Sequence, residues 1–487
     1  MRSWMKKTAT AGLALPILLT GCSIGGSDKG QSNEEQTLRV MYYDEQSFFQ
    51  QYGMLFSAIH PNVNIEVVNT QSIRPGEGED YNKLLDEFIE KEQPDIVMLG
   101  SDQYEKMSAD GKLYELDGFI EKDKYDTEGL LPGMIDYLKD LGGGKLYGMS
   151  GDYSSQALYY NKDLFEKYNI DFPTDKMSYS DVIQLAKRFP TDGGKERIYG
   201  LRMGYSDNLF QVATQLASTQ GLNYINPTKQ EMTINTPGWK SIVELARDAI
   251  NSDALYFEDR ANREGPMQYE DYLLSNPFVS GKVAMTVDGP YMLQQMKQAQ
   301  DYLKEEQKSK LVSNWDMVTV PVDPANPDTS TMVNFYNIFA INNQADNKEA
   351  AWSFIKYITG DDFARVSSKS NMYGNFSVRT KYAKKDDEHN YAAFYALKPS
   401  RVNQYKDWDK LPQNFYMEFN GQAENEFNQL KEGKQSVDET LAKVQTLGQS
   451  ILDKAPETKP EEGGNASEGA VKSGGASERT EQVIITN

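Results

Sequence analysis

The stretch Thr37–Val68 reads TLRVMYYDEQSFFQQYGMLFSAIHPNVNIEVV. TLRVMYY has strand character, QSFFQQYGMLFSAIH is compatible with a helix, and NVNIEVV returns to a strand. The chain continues with the helix-like DYNKLLDEFIEK (Asp80–Lys91) and then PDIVMLG (Pro94–Gly100). Strand, helix, strand, helix, strand predicts a mostly parallel sheet with covering helices. The unbroken apolar run after Asp95 is what a strand buried on both faces requires.

The same alternation extends through the chain. Segments with β-character recur at ALYYN, IYGLRM, VAMTV, DMVTVPV and FYNIFAI. Between them lie amphipathic helices. In SYSDVIQLAKRF, Ser178 and Asp181 form a capping box, and Val182, Leu185, Ala186 and Phe189 share a face. In KEAAWSFIKYITG, Ala351, Phe354, Ile355 and Ile358 share a face, and Gly360 stops the helix. In SVDETLAKVQTLGQSIL, Ser436 and Glu439 form a second capping box, and Val437, Leu441, Val444, Leu447 and Ile451 make the buried stripe. A chain of 487 residues is too long for one core, so an α/β architecture in more than one domain is expected.

Both ends differ from the middle. Arg2, Lys6 and Lys7 precede ATAGLALPILLTG, an apolar stretch shorter than a membrane span. It ends in Leu19-Thr20-Gly21-Cys22, which resembles the bacterial lipobox. Residues 1–21 are therefore expected to be a removed signal peptide. Cys22 becomes the lipidated N-terminus, anchored by acyl chains to the outer face of the cell membrane rather than spanning it. Residues 22–36 read as a flexible polar tether. Residues 456–487, rich in Gly, Ser, Glu and Pro, read as a disordered tail.

Composition excludes several functions. The net charge of −21 would repel nucleic acid. One cysteine and two histidines, His60 and His389, leave almost no material for a zinc site or a histidine-dependent nucleophile. GGGK at Gly142–Lys145 lacks the Ser/Thr and spacing of a phosphate loop. No cofactor, metal site or catalytic residue is expected. The 72 acidic residues pair too often by chance to argue for a glycosidase. Tyrosine is abundant, at 30 residues, and its apolar body with a polar tip suits a recognition surface.

Five segments in order resemble the family 1 extracellular solute-binding proteins, receptors of ABC importers to which maltose-binding protein is distantly related. They are QPDIVMLG, ALYYNKDLFEKYNI (Ala157–Ile170), FVSGKVAMTVDGPYM (Phe278–Met292), NKEAAWSFIKYITGDDFARV (Asn347–Val366) and LKEGKQSVDETLAKVQTLGQSIL (Leu430–Leu452). The resemblance implies a two-lobed, type II periplasmic-binding-protein-like α/β fold, with ligand held in a cleft between lobes joined by hinge strands. Transferred boundaries put lobe 1 at residues 37–153 plus 320–366 and lobe 2 at 158–315 plus 370–455. The first crossing falls near Ser154–Gln156 and the second near NWDMVTV. The implied partners are a small-molecule ligand, the membrane and the transmembrane subunits of an ABC permease, with the protein acting as a monomer.

Ligands of open α/β sheets bind beyond the carboxyl ends of the strands. A sugar offers apolar faces and hydroxyl edges, so its site needs aromatic rings beside carboxylates and amides. The post-strand loops supply Tyr43 and Asp44, then Ser101, Asp102 and Tyr104, then Asp152 and Tyr153, then Asp288 and Tyr291. In VDGPY, Gly289 is the expected helix cap and Pro290 the first helical residue. Tyr291 follows, where maltose-binding protein has a stacking tryptophan. SNMYGNFSVR adds Tyr373 and Asn375, and DWDKLPQNFYMEFN adds Trp408 and Tyr416. Trp239 and Trp352 are expected to pack. An oligosaccharide ligand is the leading expectation. A peptide, a polyamine or another small metabolite would suit the same fold, and a surface glycoside hydrolase would need only carboxylates.

Overall fold

A computed structural model describes residues 35–454 apart from 77–79, 195–196, 205, 259–266, 371–373, 386, 402–405 and 413. Cys22, the leader, the residues up to 34, the tail and Tyr373 lie outside the described residues. No described helix is long and apolar enough to cross a membrane.

Two five-stranded sheets organise the molecule. The first has the order β2 (Val63–Asn69), β1 (Gln36–Tyr42), β3 (Ile96–Leu99), β14 (Ile338–Ile341), β4 (Gly148–Met149). The β2–β1 and β1–β3 pairs are parallel, while β14 runs antiparallel to both its neighbours. Ile96 to Leu99 are buried along their whole length, as their unbroken apolar run requires. The second sheet has the order β10 (Leu255–Phe257), β7 (Tyr199–Gly204), β11 (Val283–Asp288), β6 (Ala157–Asn161), β12 (Trp315–Thr319). Here β6 is the antiparallel member. Successive residues of β6 face opposite sides of the pleat. Leu158 and Tyr160 enter one apolar cluster, and Ala157 and Tyr159 enter another. A hairpin of β8 (Ile225–Asn226) and β9 (Glu231–Met232) lies beside the last helix, Val437–Lys454.

Local signals are realised as read. Ser178 Oγ accepts from Asp181 N, and the Asp181 carboxylate accepts from Ser178 N. Ser436 and Glu439 reciprocate in the same way. The segment after β1 is helical with a π turn at Phe49–Gly53, made possible by a glycine. A Cβ on Gly53 would come within 2.7 Å of the Phe49 ring. The sequence Asn347–Val366 holds two helices rather than one, Lys348–Ile358 and Asp361–Ser370, broken at Thr359-Gly360.

Three short passages join the lobes. Ser154 and Asn334 exchange two backbone hydrogen bonds of 2.9 and 3.0 Å. β5 (Asp152–Tyr153) pairs with β15 (Phe376–Ser377). β13 (Thr329–Ser330) pairs with β16 (Lys398–Pro399). The third passage lies later than the sequence boundary at residue 370. Val378 is buried in the first core. Arg379 is 4% exposed, and its guanidinium binds the Thr359 carbonyl, Asp126 and the Tyr125 hydroxyl. Phe376 touches the apolar clusters of both sheets, and from His389, stacked on Trp315, through Tyr391 and Phe394 the chain packs on the second sheet. A buried arginine anchored in the first lobe holds this stretch there, and no local pattern announces it.

Candidate ligand-binding cleft

The carboxyl ends of the parallel strands of both sheets converge on the hinge. Asn334, bridged to Ser154, lies just before β14, whose first residue stands opposite Leu99 at the end of β3. On the other side, Ser154–Gln156 lead into β6, whose Ala157 stands opposite Asp288 at the end of β11. Loops following β1, β3 and β11 therefore border the crevice between the lobes.

Three neighbouring cavities occupy this region. One of 320 Å³ lies on lobe 1 between Ser101–Gln103 and Asn334–Tyr336. It shares Asn82, Asp102 and Gln103 with a cavity of 610 Å³ that reaches across to Lys406, Trp408 and Lys410. Trp408 in turn borders a cavity of 370 Å³ in lobe 2, lined by Phe210, Tyr224, Trp239 and Tyr416. The lobe 1 wall is polar and the lobe 2 wall aromatic, a pairing that suits a ligand with hydroxyl edges and apolar faces.

Lobe 1 residues divide by burial. Asp102 stands exposed in the first turn of the helix Ser101–Ala109, and Gln103 caps that turn by accepting from Gly100 N at 2.9 Å. Tyr43 is 52% exposed beside Tyr81, which is 41% exposed. Asp44 is occupied as a helix cap: its carboxylate accepts from Ser47 N and Ser47 Oγ, both at 2.8 Å. Those bonds hold its pKa below the ordinary carboxylate range. Tyr104 and Tyr153 correct the sequence reading. Tyr104 is fully buried, its hydroxyl accepting from Tyr147 N at 2.9 Å. Tyr153 is buried against Phe376. Neither ring is available as a stacking platform. Asp152 is also buried, accepting from the Tyr52 hydroxyl and from Asn375 Nδ2, each at 3.0 Å. It faces a different cavity, under the helix Asp361–Ser370.

Lobe 2 presents rings. Pro290 is the cap of the helix Tyr291–Tyr302, one residue later than the sequence suggested, and Tyr291 opens the helix with half its surface exposed. Its hydroxyl lies 2.9 Å from that of Tyr272. This contact is the main cause of a pKa pushed up to about 12. Asp288 accepts from Gly289 N at 2.8 Å and lies 3.6 Å from the Arg202 guanidinium. Burial raises its pKa, while the Gly289 N–H and Arg202 pull it down. Trp408 is half-buried between Tyr224 and Tyr416, and Tyr416 is 50% exposed. Trp239 and Trp352 pack, each with its indole N–H bonded, to Asn223 O and to Asp123. The cavities around Trp408 and those around Asp102 adjoin, whereas Tyr291 and Asp288 border the crevice at another point.

Some bordering residues escaped the sequence reading. Tyr336, 60% exposed, precedes β14 in a position equivalent to a post-strand loop because that strand is antiparallel. Glu105 lies one helical turn beyond Asp102, a spacing that places both on one face. Tyr224, just before β8, is placed beside Trp408 by rings distant in sequence, Phe210 and Phe419 among them.

Comparison with known proteins agrees with this geometry. Residues 36–364 match the sequence model described as bacterial extracellular solute-binding protein. A binding protein from Brucella abortus is 23% identical over 404 residues, covering 78% of this chain and 86% of the relative. A maltooligosaccharide ABC transporter solute-binding lipoprotein from Streptococcus pneumoniae serotype 4 is 22% identical over 422 residues, covering 84% and 88%. The solved sugar-binding protein MalE of Xanthomonas citri superposes with a TM-score of 0.59 at 16% identity, over 86% of this chain and 98% of its own. That likeness shows a shared two-lobed fold. Family members bind solutes for ABC transporters and are not enzymes. With most of its length matched in sequence and its two lobes matched in space, the chain belongs to the bacterial extracellular solute-binding proteins.

Proposed function

We propose that this protein captures a carbohydrate, an oligosaccharide, between its lobes and delivers it to the transmembrane subunits of an ABC importer. One observation carries the reading. A polar wall with Asn82, Asp102 and Gln103 adjoins an aromatic wall with Trp408, Tyr416 and Tyr224. Rings take the sugar faces, and amides and carboxylates take the hydroxyls. The names of the Streptococcus and Xanthomonas proteins support the same ligand class. Acyl chains on Cys22 hold the receptor at the outer face of the membrane, near its permease. Closure about the short hinge passages buries the ligand and changes the outer surface that a permease meets.

Ligand binding to the native state raises apparent stability. Protein with Cys22 replaced by Ser, screened against a panel of glycans, should show a rise in melting temperature with at least one oligosaccharide and no turnover of it. No shift across a broad panel refutes the carbohydrate assignment, and release of reducing sugar refutes transport. Replacing Cys22 in the full-length protein should move it from the membrane fraction to the medium.

A further inference from the structure

A cavity of 260 Å³ lies between the first helical segment and the helix Asp361–Ser370. It shares no lining residue with the cavities of the cleft. Phe49, Leu55 and Phe363 make its apolar walls, and the exposed Met54 and Val366 stand at its mouth. Asp152 of the hinge strand β5 also lines it.

The charge balance of this cavity is incomplete. The Asp152 side chain is more than nine-tenths buried, and its hydrogen-bonding neighbours, the Tyr52 hydroxyl and the Asn375 and Gln51 amides, are all neutral. Among the described residues, no Lys, Arg or His lines the cavity. Tyr357, on the same lining, has a buried hydroxyl with no hydrogen-bond partner among the described residues. A carboxylate out of water needs a paired cation as well as hydrogen bonds. Burial accordingly raises the Asp152 pKa, while its neutral donors lower it. The protein offers an acceptor, a spare hydroxyl and an apolar envelope, but not the positive charge.

We propose that this cavity is a second ligand site, separate from the cleft, that takes a small organic cation: a protonated amine on an apolar body. The ammonium would lie against Asp152 and the hydrophobic part against Phe49, Leu55 and Phe363. At 260 Å³ the space is smaller than each of the three cleft cavities and lies just below the range of about 300–1,000 Å³ that drug-sized ligands occupy, a size that suits a small arylalkyl ammonium ion. Asp152 sits in β5, paired to Phe376–Ser377, so the ligand would rest on the strands that join the lobes.

The probes are phenethylammonium and its neutral counterpart 2-phenylethanol, titrated calorimetrically into the folded protein at neutral pH. One ammonium should bind per chain, about tenfold or more tighter than the alcohol, as expected for a charge-assisted bond in a dry site. Asp152→Asn should bring the ammonium down to the level of the alcohol. Val366→Trp, which fills the mouth from an exposed position, should abolish binding of both while leaving glycan binding in place. If Asp152→Asn does not fold, Val366→Trp decides alone. Absence of ammonium binding, equal affinity for the two probes, binding that survives Val366→Trp, or displacement of the ammonium by a cleft-bound glycan overturns the proposal. Apart from the glycan competition, none of these results bears on whether the cleft binds sugar.

Discussion

Lys406 Nζ lies 2.7 and 2.9 Å from the two carboxylate oxygens of Glu105. Glu105 is on the lobe 1 helix that follows β3. Lys406 belongs to a segment fastened to lobe 2 by Thr228–Asp407 and Gln230–Lys410 contacts and by the packing of Trp408. Arg401 Nη2 reaches the same carboxylate at 3.4 Å. The two lobes are thus tied by charge beside the candidate cleft.

Breaking that tie should ease opening. Both side chains are partly exposed, so the pair contributes at most about 1 kcal/mol. Glu105→Gln is expected to speed ligand release by up to about fivefold with little change in folding stability. High salt should produce the same acceleration in the wild type and none in the variant. Stopped-flow release rates at two ionic strengths check this, and an equal salt effect in both proteins contradicts it.

Tyr291 should contribute to binding more than to folding. Half its surface is exposed, and its main polar contact is the Tyr272 hydroxyl. Tyr291→Ala is expected to weaken oligosaccharide binding by about tenfold or more, as loss of an aromatic anchor does. The melting temperature of the free protein should barely move. Tyr291→Phe, which keeps the ring, should retain most of the affinity. Unchanged calorimetric affinity in Tyr291→Ala would return the ring to a packing role.

Two aspartates should titrate with opposite effect on stability. The Asp123 pKa is lowered, chiefly by its hydrogen bond from Lys356, with a further bond from the Trp352 indole. Its stabilisation is present above the ordinary carboxylate pKa and lost as pH falls through the lowered one. The Asp152 pKa is raised by burial. Its stabilisation is present below the ordinary value and lost as pH rises through the raised one. Melting curves between acid and neutral pH should show Asp123→Asn falling further behind wild type as pH rises, and Asp152→Asn gaining on it. Curves parallel to wild type would disprove either assignment.

Gly200 should be intolerant of any side chain. A Cβ there would lie 2.2 Å from the Ala186 carbonyl oxygen and 2.5 Å from Ala186 Cα, backbone atoms of the helix packed across β7. Gly200→Ala is expected to cost about 1–3 kcal/mol. The urea unfolding midpoint of the lobe 2 transition should drop, and an unchanged midpoint would show that the helix shifts freely.

Much of the fold is legible because its signals are local. The unbroken apolar run at Ile96–Leu99, the capping boxes at Ser178 and Ser436, and the alternating faces of Ala157–Asn161 need only neighbours in sequence. Part of the site is also local: a residue after a strand, or opening a helix as Tyr291 does, stands at an edge of the sheet. Even the burial of Tyr104 was readable, since Tyr104, Met107 and Ser108 share one helical face and all are buried.

What the tertiary structure alone decided is which side of each loop meets the cleft, and which distant groups meet each other. Sequence position could not say that Asp152 turns toward Tyr52 and away from the rings of lobe 2, because burial at a hinge is set by what packs from either side. Nor could it join Glu105 to Lys406, 301 residues apart. The amino-acid sequence by itself determined the strands, the helices, their caps and the two-lobed family plan, through short-range periodicity and turn chemistry. The walls of the cleft, the hinge cavity and the ionic tie depend on long-range packing, where the partners of a side chain are chosen by the whole fold.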